Sequence, residues 1–465
     1  MHTFFSILSY VAIGYMLFSS LSYILLFMIA FRKVYRESEL DPRETTEDIA
    51  RNERTFPVSV LVPAYNEEVG VVSTVRSLLA LEYPEKEIIV IDDGSKDETS
   101  ARMIEEFQMT EVAFAVRAYL ETAEIKAIYQ SSIFPYIRLI KKANGGKADA
   151  LNAGINLASY PYFCAIDGDS ILENDALLKT MKPIIESDGQ IIVTGGSVRI
   201  ANGSVISRSK VETVNLPSHP VVLMQIIEYF RAFLIGRLAL SRLNILLIVS
   251  GAFGVFHKER VIRAGGYNKK TVGEDMELVV RLHRLLREEK SKQRIEYIPD
   301  PVCWTEAPES LEVLRSQRIR WQRGLWETLW THKKMIFNPS YGSIGLISMP
   351  YFLFVELLGA IFELSGYLMI FGGFFFSLID PKVAGVLFLV TIFYGSLISA
   401  LAVLLEELTL HKYPKVSHLV RLYFWALTET FWYRPFMIIW RIQGIFAAFR
   451  KKHNWGDMKR KGIST

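Results

Sequence analysis

The hydrophobic pattern divides the chain into apolar ends and an alternating middle. From Phe4 to Phe31 only Ser, Gly and Tyr interrupt a run of apolar residues. Such a run is long enough to cross a bilayer as a helix and longer than a signal-peptide core. Arg32, Lys33 and Arg36 follow it, a basic stop that predicts a cytosolic position for the next domain. Residues 37–56 are polar and read as a linker. Near the other end, Ile344–Leu378 and Val383–Leu405 are apolar enough to span, with Ile379-Asp380-Pro381-Lys382 as the turn between them. Leu419–Phe449 is apolar but carries Arg421, Glu429, Arg434, Pro435 and Arg441. These charges, with Glu356 and Glu363, either face a protein interior or polar pathway, or snorkel to an interface. The basic tail from Arg450 predicts a cytosolic end. Three crossings after a cytosolic domain would place it outside. Either Leu419–Phe449 is therefore re-entrant or interfacial, or Ile344–Leu378 breaks into two pieces.

The middle alternates buried strands with amphipathic helices. Val58–Pro63 is a continuous apolar run with turn residues after it, Glu87–Ile91 reads as a second buried strand, Ile137–Ile140 as a short strand, and Tyr162–Ile166 as a strand ending at Asp167. Glu68–Leu81, Asp97–Phe107 and Ala148–Ala158 have helical spacing. Strand–helix repetition predicts a mostly parallel sheet with helices on both faces. Ligands of such sheets bind at the carboxyl ends of the strands. No GxGxxG follows the first strand and no GxxxxGK[ST] occurs, which disfavours a dinucleotide oxidoreductase and a P-loop ATPase.

Composition adds three limits. Half of the 465 residues are hydrophobic, which fits a soluble domain joined to a membrane part. A net charge of +4 is too small to argue for nucleic acid. Cys164 and Cys303 are the two cysteines, with no zinc or disulfide-framework spacing.

The candidate chemistry lies after the strands. Asp167 and Asp169 flank Gly168 at a strand end, where both carboxylates can face one cavity. Hard oxygen ligands there suit Mg²⁺ or Mn²⁺ bridging a substrate's phosphates, although a lone Asp-x-Asp is also a common surface turn. In Asp92-Asp93-Gly94-Ser95 a carboxylate can accept from a base or a ribose hydroxyl. Lys147 follows Asn144-Gly145-Gly146 and opens a helix, which suits a diphosphate partner or, equally, a solvated helix start. Glu274 and Asp275 follow Gly273 and lead into a helix with apolar spacing. One of them can serve as a general base, or both can be ordinary charge at a helix N-terminus. Gln317, Arg320 and Trp321 share one helical stretch with Arg315, Arg318, Arg323 and Trp326, a pattern that also suits a membrane-surface helix.

In order, Val62-Pro63-Ala64-Tyr65-Asn66-Glu67, Asp92-Asp93-Gly94-Ser95, Asn144-Gly145-Gly146-Lys147-Ala148, Asp167-Gly168-Asp169, Gly273-Glu274-Asp275 and Gln317-Arg318-Ile319-Arg320-Trp321 resemble the processive family-2 glycosyltransferases. These are the cellulose, hyaluronan and poly-N-acetylglucosamine synthases. The resemblance covers roughly Pro57 to Gly324 and the flanking membrane layout. It implies an α/β GT-A fold, set between an N-terminal transmembrane helix and a C-terminal α-helical membrane region. The implied boundaries are 1–36 for the first helix, 37–56 for the linker and 57–310 for the GT-A domain. Interface helices with the Gln-x-x-Arg-Trp motif take 311–340, membrane or interface helices 341–449, and a basic cytosolic tail 450–465.

By the same resemblance the protein is a hexosyltransferase of the plasma membrane, multi-pass, with its catalytic domain cytosolic. It would polymerise a UDP-sugar, UDP-N-acetylglucosamine first and UDP-glucose second, into an exopolysaccharide and translocate it. The alternative is a non-processive transferase adding one sugar to a lipid-linked acceptor. Asp275 would be the general base. Pro63, Tyr65, Glu67, Asp92, Asp93, Lys147, Asp167 and Arg320 would bind the donor. Gln317, Trp321, Glu274, Ser250 and Gly251 would meet the acceptor. Asp169 and Asp167 would hold Mg²⁺ or Mn²⁺. Partners would be the growing polysaccharide, the lipid bilayer and a small accessory membrane subunit, with no nucleic acid.

Overall fold

The computed structural model describes residues 2–39, 55–168, 170–207, 210–376, 381–410 and 415–450. Most of the expected linker, Ile379 and Asp380 of the expected turn, the basic tail from 451 and Asp169 lie outside the described residues, while Pro381 and Lys382 of that turn open a helix. The described chain forms two compact units. One runs from the first strand to Asn215 and includes Leu246–Ala307; the other holds the N-terminal helix, Leu216–Ile245 and the chain from Pro308.

The first unit contains twelve strands among its described residues: β1 Val58–Ala64, β2 Lys86–Asp92, β3 Met109–Glu111, β4 Ile125–Ser131, β5 Ile137–Lys142, β6 Tyr162–Ile166, β7 Ile171–Leu172, β8 Ile191–Ile200, β9 Val205–Ser207, β10 Lys210–Thr213, β11 Phe253–His257 and β12 Arg294–Thr305. Ten form one sheet in the order β3-β4-β5-β2-β1-β6-β11-β8-β12-β7, and β9 pairs with β10. Strands β1, β2 and β6 are nearly continuous apolar runs because both faces of the sheet are covered there.

The expected α/β domain is present, but its sheet is mixed rather than mostly parallel. The pairs β5–β2, β2–β1, β1–β6 and β8–β12 are parallel. Antiparallel pairing joins β3–β4, β4–β5, β6–β11, β11–β8 and β12–β7. The parallel group positions the chemistry. Ala64 lies opposite Asp92, Asp92 opposite Lys141, and Leu61 opposite Ala165. The turns after β1, β2, β5 and β6 therefore open on one edge.

Local chemistry trims the expected elements. The helix after β1 is Val71–Leu79, because the chain first turns at Glu67, whose carbonyl accepts from Gly70 and Val71. Strand β8 runs through Thr194-Gly195-Gly196-Ser197, all buried. Its glycines admit close neighbours: a Cβ at Gly196 would lie 2.5 Å from Val302 Cγ2 and one at Gly195 2.8 Å from Val249 Cβ.

The second unit is helical. Its main helices are His2–Glu39, Pro220–Phe230, Leu311–Thr331, Gly359–Phe375, Pro381–Leu410, Val416–Thr428 and Tyr433–Phe449. Ile13–Arg36, with mean hydropathy 1.9, is long and apolar enough to cross a membrane. Ile344–Leu357 and Gly359–Phe375 form a second apolar stretch, bent by 41° at its break. The last apolar stretch is also divided, into Val416–Thr428 and Tyr433–Phe449. Four ionisable residues of this unit are paired with one another. Glu429 pairs with Arg231 at 3.0 Å and accepts from Ser399, and Arg434 pairs with Glu363 at 3.0 Å. Charges inside apolar helices persist when paired in this way.

Candidate active site

The site grows from the turns at the shared strand edge. After β1 the chain enters Tyr65-Asn66-Glu67. Tyr65 is exposed, and Asn66 takes a positive φ of 55°. The backbone N–H of Asn66 donates to Ser95 Oγ and that of Glu67 to Thr99 Oγ1, which ties this turn to the one after β2. There Asp92 is buried. Its carboxylate accepts from the Ser95 N–H at 2.8 Å and from the Ser100 hydroxyl. Asp93 is buried too and accepts from the N–H groups of Gly145 and Gly146. Asp92 is thus engaged by its own turn and Asp93 by the glycine loop after β5.

Lys147 is the first residue of the helix Lys147–Leu157, capped by Gly146 at φ 87°. A glycine meets that backbone requirement without strain. The Lys147 ammonium lies 2.5 Å from Asp167 Oδ1 and 3.7 Å from Glu274 Oε1, and donates to the Gly251 carbonyl at 3.1 Å. Asp167 follows β6, and its N–H donates to the Ala252 carbonyl. Gly168 packs beneath β1: its carbonyl accepts from Thr74, and a Cβ there would approach the Pro63 carbonyl at 3.2 Å.

Glu274 and Asp275 open the helix Glu274–Glu288. Asp275 is half-buried, and its Oδ1 accepts the N–H of Met276. A Cβ on Gly251 would lie 3.0 Å from Asp275 Oδ2 and 3.5 Å from Lys147 Nζ, so the missing side chain leaves room for both. Ser250 Oγ holds this turn by accepting from the Ala252 N–H. The structure thus gathers Lys147, Asp167, Gly251, Glu274 and Asp275 from four separate segments.

Electrostatics in this pocket are unbalanced. One ammonium serves three carboxylates. Burial alone would lower the Lys147 pKa, but Asp167 and then Glu274 outweigh it and hold the pKa above the usual lysine range. Burial pushes Glu274 up to about 7; Lys147 pulls it down, while Asp275 and Asp167 push it further up. Excess carboxylate charge is a donor set suited to a hard divalent cation. Among the described residues no group of three or more His, Cys, Asp or Glu is arranged to hold a metal ion, and Asp169 lies outside them.

The remaining motif is in the helical unit. Gln317, Arg320 and Trp321 share the helix Leu311–Thr331, whose N-cap Ser310 accepts from the Val313 N–H. Trp321 is exposed, with the Arg318 guanidinium 4.2 Å above its ring. Arg318 is buried and donates to Glu228 at 2.8 Å, and Glu228 also accepts from Tyr433. The reading of the sequence gave Arg318 no role of its own; its place inside a motif with an aromatic three residues on was the available signal.

A mixed sheet with an acidic turn after β6, a lysine-led helix and a second acidic helix start is an arrangement of the GT-A fold. A mannosyltransferase from Pyrobaculum calidifontis, solved in complex with GDP-Man and Mn2+, has the same fold, with a TM-score of 0.53 at 16% identity over 92% of this chain and 99% of that one. The family model described as Glycosyltransferase like family 2 matches residues 56–324, and a Chitin synthase model matches 256–461. Poly-beta-1,6-N-acetyl-D-glucosamine synthase of Staphylococcus epidermidis is 30% identical over 335 residues, 69% of this chain and 70% of that one. The protein of that name from Staphylococcus aureus (strain COL) is 32% identical over 274 residues, 58% of this chain and 55% of its own. The chain belongs to glycosyltransferase family 2.

Proposed function

We propose that this glycosyltransferase polymerises N-acetylglucosamine from UDP-N-acetylglucosamine into an extracellular polysaccharide, with its catalytic unit cytosolic and its helical unit in the plasma membrane. The observation that carries the reading is the position of Lys147, whose ammonium is shared by Asp167 and Glu274 beside Asp275. A group that neutralises a leaving diphosphate thus adjoins the carboxylates that receive the acceptor's proton. The names of the staphylococcal relatives support the sugar and the polymeric product.

In this reading Tyr65, Glu67 and Asp92 form the uridine end of the donor site. Lys147 meets the diphosphate, where a charge-assisted hydrogen bond is strongest. Asp275 takes the proton from the acceptor hydroxyl, and attack from the side opposite UDP inverts the anomeric carbon. Asp167 and Asp169 would hold Mg²⁺ or Mn²⁺, which when bound supplies Lewis-acid neutralisation of the departing diphosphate. Gln317 and Trp321 serve the acceptor end, and Arg320 the diphosphate. UDP-glucose is the second donor choice, and transfer of one sugar to a lipid-linked acceptor is the other outcome the same residues allow. Asp275→Asn tests the assignment: transfer is expected to vanish while UDP affinity, measured by calorimetry on the full chain, stays within about threefold, or about 0.7 kcal/mol. Collapse of UDP affinity would remove Asp275 from the general-base role.

A further inference from the structure

Three charged side chains meet behind the loop that leads into Lys147. Lys142, the last residue of β5, is completely buried. Its ammonium pairs with Asp93 and, at 2.7 Å, with Asp149, and donates to the Ala143 carbonyl. Asp93 spends both oxygens on the loop: Oδ1 accepts from the Gly145 N–H at 3.0 Å and Oδ2 from the Gly146 N–H at 2.7 Å. Its backbone carbonyl accepts from the Asn144 side chain at 2.8 Å. Asp149 lies in the first turn of the Lys147 helix. It accepts from the Ala123 N–H and pairs with Lys269 at 3.3 Å. Gly145 backs directly onto it, since a Cβ there would come within 2.6 Å of the Asp149 carboxylate.

Buried ion pairs add little net stability over apolar packing of the same volume, and their best-attested use is to specify one arrangement. Here the arrangement specified is that of Asn144-Gly145-Gly146. Two consecutive glycines would otherwise leave this segment many backbone conformations. Asp93 removes that freedom by binding both N–H groups, Lys142 pairs with it and opposes the burial that raises its carboxyl, and Asp149 anchors Lys142 to the helix. We propose that Asp93, Lys142 and Asp149 are positioning residues of the donor site, fixing the glycine loop so that Lys147 meets the donor diphosphate. Asp93 then acts through the loop and not by touching the donor. The inference rests on the reading of Lys147 as a diphosphate ligand.

The test uses the full chain in nanodiscs and the variants Asp93→Asn and Gly145→Ala, the second of which moves the loop without changing charge. Ile140→Val, in the buried core of β5, is the control for lost stability alone. Hydrogen exchange of peptides covering 144–150, UDP affinity in the presence of Mg²⁺, and donor KM and kcat are read. Both loop variants are expected to exchange faster at Gly145 and Gly146. UDP affinity should fall and donor KM rise by about tenfold, with kcat at saturating donor changed by less than about threefold. The control should lower the thermal midpoint and leave KM alone. Faster exchange with unchanged KM in both variants would overturn the proposal. Weaker UDP binding by Asp93→Asn without faster exchange would also overturn it, since Asp93 would then act on the donor directly. A wild-type protein that binds no UDP would instead sink the donor reading, while the exchange data still report whether the cluster holds the loop.

Discussion

Replacing Glu274 by Gln removes a carboxyl whose ionisation burial opposes. Burial pushes this carboxyl from its usual 4.5 up to about 7, with Lys147 pulling down and Asp275 and Asp167 pushing up. Below pH 4.5 the group is protonated in the folded and the unfolded chain alike, and it has no effect on pH dependence. Between 4.5 and about 7 the unfolded chain loses this proton and the folded chain keeps it, so stability falls as pH rises. Above about 7 the deficit is complete. At about 1.4 kcal/mol per pH unit the total is about 3 kcal/mol. His283 acts with the opposite sign. Burial lowers it to about 4, so its contribution is present above 6.5 and fades as pH falls toward 4. Both proteins keep His283, so a difference curve cancels it. Lys147, raised above the usual lysine range, titrates outside this window. The assay is the thermal midpoint of wild type and Glu274→Gln from pH 4.5 to 8.5 in one detergent. Lost contacts of the neutral carboxyl give a constant offset, the pull of Lys147 on the ionised form being already part of its pKa. On top of it, the variant should gain on wild type up to pH 7 and then level off. The gain is several degrees, at about 2–4 °C per kcal/mol for a unit of this size. Parallel curves would refute the assignment of a buried, nearly neutral carboxyl to Glu274.

Further expectations concern the motif residues and the core. Lys147→Met removes the ammonium that faces the diphosphate and should weaken UDP binding by about 10- to 100-fold, read by calorimetry. Trp321→Ala should shorten the product while leaving donor affinity near wild type; equal loss of both would give this tryptophan a structural role. Gly196→Ala drives a methyl into Val302 and should cost about 1–3 kcal/mol in the thermal or denaturant midpoint, with no specific change in donor KM.

The parts of the fold that the sequence revealed are those where burial is symmetric. Strands β1, β2 and β6 stand out as apolar runs because both faces are covered, and acidic turns follow directly from the ends of β2 and β6. Strand β8 was hidden because Thr194-Gly195-Gly196-Ser197 has the composition of a turn, while its conformation is set by the close approach of Val249 and Val302. Strands β11 and β12 depend on pairing with segments distant in sequence, β11 with β6 and β8 and β12 with β8 and β7, which periodicity does not report. The same is true of Lys142. Next to Lys141 and a glycine pair it looks like a solvated charge, and only the register of β5 against β2 brings it beside Asp93. Lys147, Asp167 and Asp275 were legible as separate motifs. Their convergence on one ammonium was not, since it requires the loop at Gly251 to stand open.

Release of UDP by the purified full chain in nanodiscs, with Mg²⁺ or Mn²⁺ and a panel of UDP-sugars, tests the central claim most directly when product size is read alongside. The account predicts release with UDP-N-acetylglucosamine above all other donors, and a high-molecular-weight product cleaved by an N-acetylglucosaminidase. Release with a different sugar, or release coupled only to a single transferred residue, would contradict it.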